Sequence, residues 1–165
     1  MENTPRLDGV HHLKLPVRDL ERSTEWYRTR LGYTVFQEFR QEDKVVGVAM
    51  EHPRGGPMLS LWLDPERAAA AAGFDYFAIG APAKDDLEAL AASLTALGER
   101  HAGVHRASMG WILPHLADPD GHELRFYTTE RHARPEGGGP PSTLADPRWP
   151  VESAEAGRSG DGADA

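Results

Sequence analysis

The chain has 165 residues, 39% hydrophobic and 27% charged, enough apolar material for one core or for two small modules sharing one. A formal charge of −8 with no Lys/Arg cluster excludes a nucleic-acid surface, and no apolar run approaches the ~20 residues that a bilayer span requires. The absence of cysteine removes disulfides, thiolate nucleophiles and Cys-bound zinc together, leaving His, Asp and Glu as the strong metal ligands.

The opening residues MENTPRLDGV lack the order of a signal peptide, so a cytoplasmic protein is expected. GVHHLKLPV alternates as a strand. DLERSTEWYRTRLG then reads as a helix, with Asp19 as N-cap, Leu20, Tyr27 and Leu31 on one face, and Gly32 as the stop. YTVFQEF, KVVGVAME and PMLSLWL are three strand candidates that complete a first module over about residues 9–64. The same order follows again over about 74–129. FDYFAIGA is the strand and DDLEALAASLTALG the helix, with Leu87, Leu90, Leu94 and Leu97 inward and Gly98 as the stop. GVHRAS, GWILPHLA and ELRFYT are its remaining strands, the last two joined by a DPDG turn. The fold class predicted is therefore α+β, two tandem βαβββ modules. From about residue 130 to 165 a Pro/Gly-rich tail is expected, with Trp149 as the one residue suited to docking. Lysine is confined to Lys14, Lys44 and Lys84; this bias toward arginine, with abundant Ala, Gly and Pro, points to a GC-rich bacterial source.

Strand parity separates two kinds of face. Leu13, Leu15 and Val17, then Leu59, Leu61 and Leu63, Phe77 and Ile79, and Leu124 and Phe126 suit packing against helices. The opposite faces carry His12 and Lys14, Met58, Ser60 and Trp62, Tyr76 and Ala78, and Glu123, Arg125 and Tyr127. That mixture of aromatics and a few polar groups suits a cavity lining, and equally an amphipathic solvated face. Trp62 and Trp111 could form stacking walls with Tyr76 and Tyr127, or each could be a core residue. Trp26 and Tyr27 read as structural, packing helix on sheet.

HHLKLPVRDLERSTEWYRTRLG and DPDGHELRFY, set in this repeat, resemble the vicinal oxygen chelate superfamily, which includes glyoxalase I, bleomycin-resistance and fosfomycin-resistance proteins and extradiol dioxygenases. The resemblance spans roughly residues 8–129. It implies sheets curled into a cupped cavity, and, in metal-dependent members, a divalent ion held by His and Glu of the first and last strands. His12 matches the first ligand position. The other three positions fall on Ser60, Tyr76 and Arg125. A divalent ion needs three or more strong donors, and a guanidinium offers only N–H groups and positive charge, so no metal cofactor is expected. The runner-up is a displaced site of His12, His115 and Glu123 for Ni, Zn, Mn or Fe. His11, His52, His101, His105, His122 and His132 read as surface or turn residues.

Arg125 is then expected to replace the metal as the positive element of the cavity. Its anionic partner is either internal, Glu123 or Glu38, or a ligand carboxylate, phosphate or enolate. Two function classes follow. The first is sequestration of a small aromatic or anionic molecule, with His12, Ser60, Trp62, Tyr76, Trp111, Arg125 and Tyr127 lining the site. The second is a lyase, isomerase or dioxygenase-like enzyme in which His12 moves a proton, Tyr76 donates and Arg125 stabilises an oxyanion. The resemblance also implies a homodimer.

Overall fold

The computed structural model describes residues 7–107 and 109–131. The expected tail beyond residue 131, Trp149 and His132 lie outside the described residues.

The first module is β1 (His12–Val17), α1 (Leu20–Leu31), β2 (Thr34–Gln41), β3 (Lys44–Glu51) and β4 (Met58–Leu63). A short helix, α2 (Pro65–Ala71), connects it to the second, which is β5 (Ala78–Ala81), α3 (Lys84–Ala96), β6 (His105–Arg106), β7 (Trp111–Ala117) and β8 (Glu123–Thr128). Each module forms one four-stranded sheet, in the orders β1-β4-β3-β2 and β5-β8-β7-β6. β1 runs parallel to β4 and β5 parallel to β8, while the remaining pairs are antiparallel. The two βαβββ units read from the sequence are therefore present.

Local chemistry explains the helices. The Asp19 carboxylate accepts from the Arg22 N–H at 2.9 Å, and Gly32 closes α1 in the left-handed region at φ 75°. α2 was not expected. Asp64 caps it by accepting from the Arg67 N–H at 3.1 Å, Pro65 occupies its first turn, and its alanines carry no amphipathic period to betray it. α3 buries Leu87 and Leu94, but Leu97, expected inward, is exposed because the helix ends before it. Leu63, at the end of β4, is also exposed rather than packed. β5 begins only at Ala78, so Tyr76 precedes the strand it was assigned to.

A single hydrophobic cluster spans both modules, joining Leu15, Val17, Tyr27, Leu59 and Leu61 to Leu87, Leu94, Leu113, Leu124 and Phe126. Polar groups fasten the modules along its edge. The fully buried Asp120 accepts from the Arg18 N–H at 2.9 Å, Arg18 Nε at 3.0 Å, Arg22 Nη2 at 3.1 Å and Ser23 Oγ at 2.7 Å. Asp118 accepts from Tyr27 Oη at 2.9 Å and from the backbone N–H groups of Asp120 and His122, and its Oδ2 lies 2.8 Å from His122 Nδ1. At the other end of α1, Glu99 accepts from Trp26 Nε1 and Arg30 Nε. Trp26 and Tyr27 thus do more than pack on their own sheet. His122, read as a turn residue, is only 1% exposed, and its Nε2 has no partner among the described residues.

Burial pushes the Asp120 carboxyl upward, but hydrogen bonds from Ser23 and Arg18 and the charge of Arg22 hold it below the usual carboxylate range. A depressed folded-state value contributes stability that is complete above the unfolded value and lost as pH falls through the folded one. Asp120→Asn is expected to lower urea-unfolding stability by about 1–3 kcal/mol at neutral pH. The gap from the parent protein should narrow as the pH is taken below about 4.

Candidate functional site

The face of the first sheet turned away from the core is built by register. Lys14 pairs with Ser60, Pro16 with Trp62, Ala49 with Ser60 and Gly47 with Trp62. Gly47 makes room for the indole, since a Cβ there would overlap Cε3 and Cζ3 of Trp62. Phe39, from β2, tilts against the same ring at 5.7 Å between centroids. Lys14 Nζ sits 4.0 Å from the Trp62 ring centroid, a cation–π contact worth about 0.5–1 kcal/mol when exposed. Ser60 and Ala49 are buried beneath this layer. His12, two residues before Lys14, is exposed, and its Nδ1 lies 3.0 Å from Nδ1 of His11.

Beside Lys14 opens a pocket of about 290 Å³ lined by Lys14, Pro16, Arg67, Ala70, Ala71 and Tyr76. Tyr76 is half exposed and meets Phe74 and His122 edge to face, at 4.9 and 6.0 Å between centroids. No carboxylate lines this pocket, and Arg67 is engaged by Asp64 at 2.6 Å. Among the described residues Lys14 makes no ion pair.

Arg125 belongs to a different surface. It lies on β8 opposite Ala78, with Nε 2.8 Å from Glu123 Oε1 and 3.1 Å from Asp75 Oδ2, and its side chain is 16% exposed. His115 Nδ1 approaches the same Glu123 oxygen at 3.3 Å. Burial draws the guanidinium pKa down, yet Glu123, Asp75 and Tyr127 together hold it above its ordinary value. The internal ion pair expected with Glu123 is present. Glu38, the other candidate, pairs with Arg40 instead, and Asp75 was not foreseen. With two carboxylates on one guanidinium, Arg125 presents no surplus positive charge to a ligand, which corrects its expected place as the positive element.

The remaining sequence candidates divide accordingly. Tyr127 shares the Arg125 face, opposite Gly80 and the fully buried Ile112. Trp111 lies on the other face, packed against the core cluster with Lys84 Nζ 4.6 Å from its ring centroid, so it is not a wall shared with Trp62. His12, Tyr76 and Arg125 occupy three separate surroundings. Of the displaced metal set, His115 and Glu123 meet but His12 is on the other sheet, and among the described residues no group of three His, Asp or Glu could hold a metal ion. The donor chemistry at Ser60, Tyr76 and Arg125 does not fit a divalent ion either. The Lys14–Trp62 contact has one signal in the sequence, the glycine inside β3 that marks a close approach.

A family model described as the Glyoxalase/Bleomycin resistance protein/Dioxygenase superfamily matches residues 9–126. The chain belongs to this superfamily. Solved structures with the same fold include a glyoxylase/bleomycin resistance protein/dioxygenase domain from Frankia sp. EAN1pec, 24% identical over 74% of this chain and 98% of that one, with a TM-score of 0.60. The antibiotic binding protein TnmS3 from Streptomyces sp. CB03234 is 16% identical over 76% and 98%, with a TM-score of 0.61. The fosfomycin resistance protein FosX from Listeria monocytogenes is 13% identical over 74% and 94%, with a TM-score of 0.57. No curated protein matches the sequence. Superfamily membership accounts for the paired βαβββ modules.

Arg125→Met should destabilise the fold by about 1–3 kcal/mol in urea titrations, by leaving Glu123 and Asp75 without their counterion. Gly47→Ala should cost a similar amount, about 1–3 kcal/mol, and shift tryptophan emission as Trp62 is lifted from its seat.

Proposed function

We propose that the protein captures a small aromatic or anionic organic molecule on the Trp62 face of the first sheet, without a metal ion and without converting it. The observation that carries this reading is an indole packed against Gly47 and capped by an ammonium that, among the described residues, makes no ion pair. A rigid aromatic floor with one mobile charge suits stacking and charge recognition. Membership in a superfamily whose similar structures include an antibiotic binding protein and a fosfomycin resistance protein supports a ligand of natural-product size. The enzymatic alternative through His12, Tyr76 and Arg125 draws no support from geometry, because Arg125 is held between two carboxylates on the other sheet.

Pairing with a second copy belongs to the same reading. β2 is an edge strand exposed along its whole length, and it carries Val35, Phe36 and Phe39. Such a surface is ordinarily covered by a partner. A cytoplasmic location is also part of the proposal, in keeping with a chain that has no cysteine and with described helices too short and polar to cross a membrane.

Inductively coupled plasma mass spectrometry on untagged protein, purified without chelators and then offered Ni, Zn, Mn and Fe(II), is expected to find no stoichiometric ion. Near-stoichiometric metal overturns the metal-free reading. In thermal-shift screens of aromatic acids, ligands that raise the parent Tm are expected to lose that effect with Trp62→Leu.

A further inference from the structure

We infer that Lys14 is the residue that selects the ligand, and that the class it selects is an aromatic ring bearing an anionic group. The inference rests on the Trp62 reading above and goes beyond it by naming the charge reader and the required chemistry.

Three observations carry it. Lys14 is placed by register, not by a partner. It stands opposite Ser60 on the same face as Trp62, and among the described residues it contacts no carboxylate. Its ammonium has three N–H donors, and a π-face 4.0 Å away satisfies them poorly compared with a carboxylate, sulfonate or phenolate. Two other cations of this module and its connector are already engaged, Arg67 with Asp64 and Arg40 with Glu38; Arg125, on the other sheet, is held by Glu123 and Asp75.

Lys14 Nζ covers one face of the indole at 4.0 Å from the ring centroid, while Gly47 packs against Cε3 and Cζ3. A ring that stacks on the lysine-covered face must displace Lys14. The flexible four-carbon stem lets the ammonium swing toward the adjoining pocket of about 290 Å³, which its own stem and Tyr76 line. If the ring carries an anion, the displaced charge gains a partner there. If it is neutral, the stack on Trp62 is gained but the displaced ammonium finds no new partner. The arrangement therefore discriminates for anionic aromatics of one or two rings.

The test uses the full chain and two fluorescent probes that share one ring system, 8-anilinonaphthalene-1-sulfonate and the uncharged N-phenyl-1-naphthylamine. Both are titrated into the parent protein, Lys14→Met, Lys14→Arg and Trp62→Leu, with circular dichroism confirming that each variant is folded. Lys14→Met is expected to weaken the sulfonate about tenfold while leaving the neutral probe within about twofold. Lys14→Arg should retain sulfonate binding, and Trp62→Leu should weaken both probes. If Lys14→Met leaves the sulfonate unchanged, or weakens both probes equally, while Trp62→Leu weakens both, the role of Lys14 is overturned and the Trp62 face stands as the site. Should Trp62→Leu weaken neither, or the parent bind neither saturably, the inference and the proposed function fall together.

Discussion

The carboxylate pair of the DPDG turn is the joint on which the molecule depends. Asp118 and Asp120 are buried, and a buried carboxylate is tolerated only when its lone pairs are met by donors. The turn's own N–H groups at Asp120 and His122 serve Asp118, and the rest of the donors come from the first module, as Arg18, Arg22, Ser23 and Tyr27. The sequence repeat is therefore chemically one-sided. One half supplies hydrogen-bond donors along α1 and the other supplies acceptors, which fixes how two similar βαβββ units face each other around one core.

With the helices and inward faces committed to that joint, chemistry is left to the outward faces of the two sheets. They differ in kind. On the second sheet Arg125, Glu123, Asp75 and His115 satisfy one another, and such a network holds strands together while offering little to a ligand. On the first sheet the corresponding charge is Lys14, whose ammonium lies on the Trp62 ring and, among the described residues, makes no ion pair. On β8, by contrast, Arg125 is bound into the second sheet by Glu123 and Asp75.

Much of this was legible because it is local. Apolar periodicity, Asp19 and Gly32 delimit α1, and the leucines of α3 delimit the second helix; the internal repeat then fixes the fold class. What escaped depends on pairing across distance. Asp75 meets Arg125 fifty positions further along the chain, and only the β5–β8 register brings them together. Lys14 reaches Trp62 because β1 runs parallel to β4, and strand parity alone does not set that register. Trp111 shares its parity with the inward Leu113, and of its two readings the core one is what the structure shows. α2 escaped because a short alanine run between two modules has no amphipathic period, only Asp64 and Pro65 at its start.

One irregularity in β7 bears on how such a protein can change. Between Leu113 and Leu116, paired with Phe126 and Leu124, β7 uses three steps where β8 uses two, and His115 takes up the surplus with a left-handed backbone at φ 63°. Both leucines face the core only because of that extra residue. Loss of one residue at Pro114 or His115 would return the strand to simple alternation with both leucines still inward, whereas loss anywhere else along β7 would turn half the strand inside out. The bulge is thus the one point in this strand where evolution can add or remove length, rewriting the polar neighbourhood of Glu123 while the core stays in place.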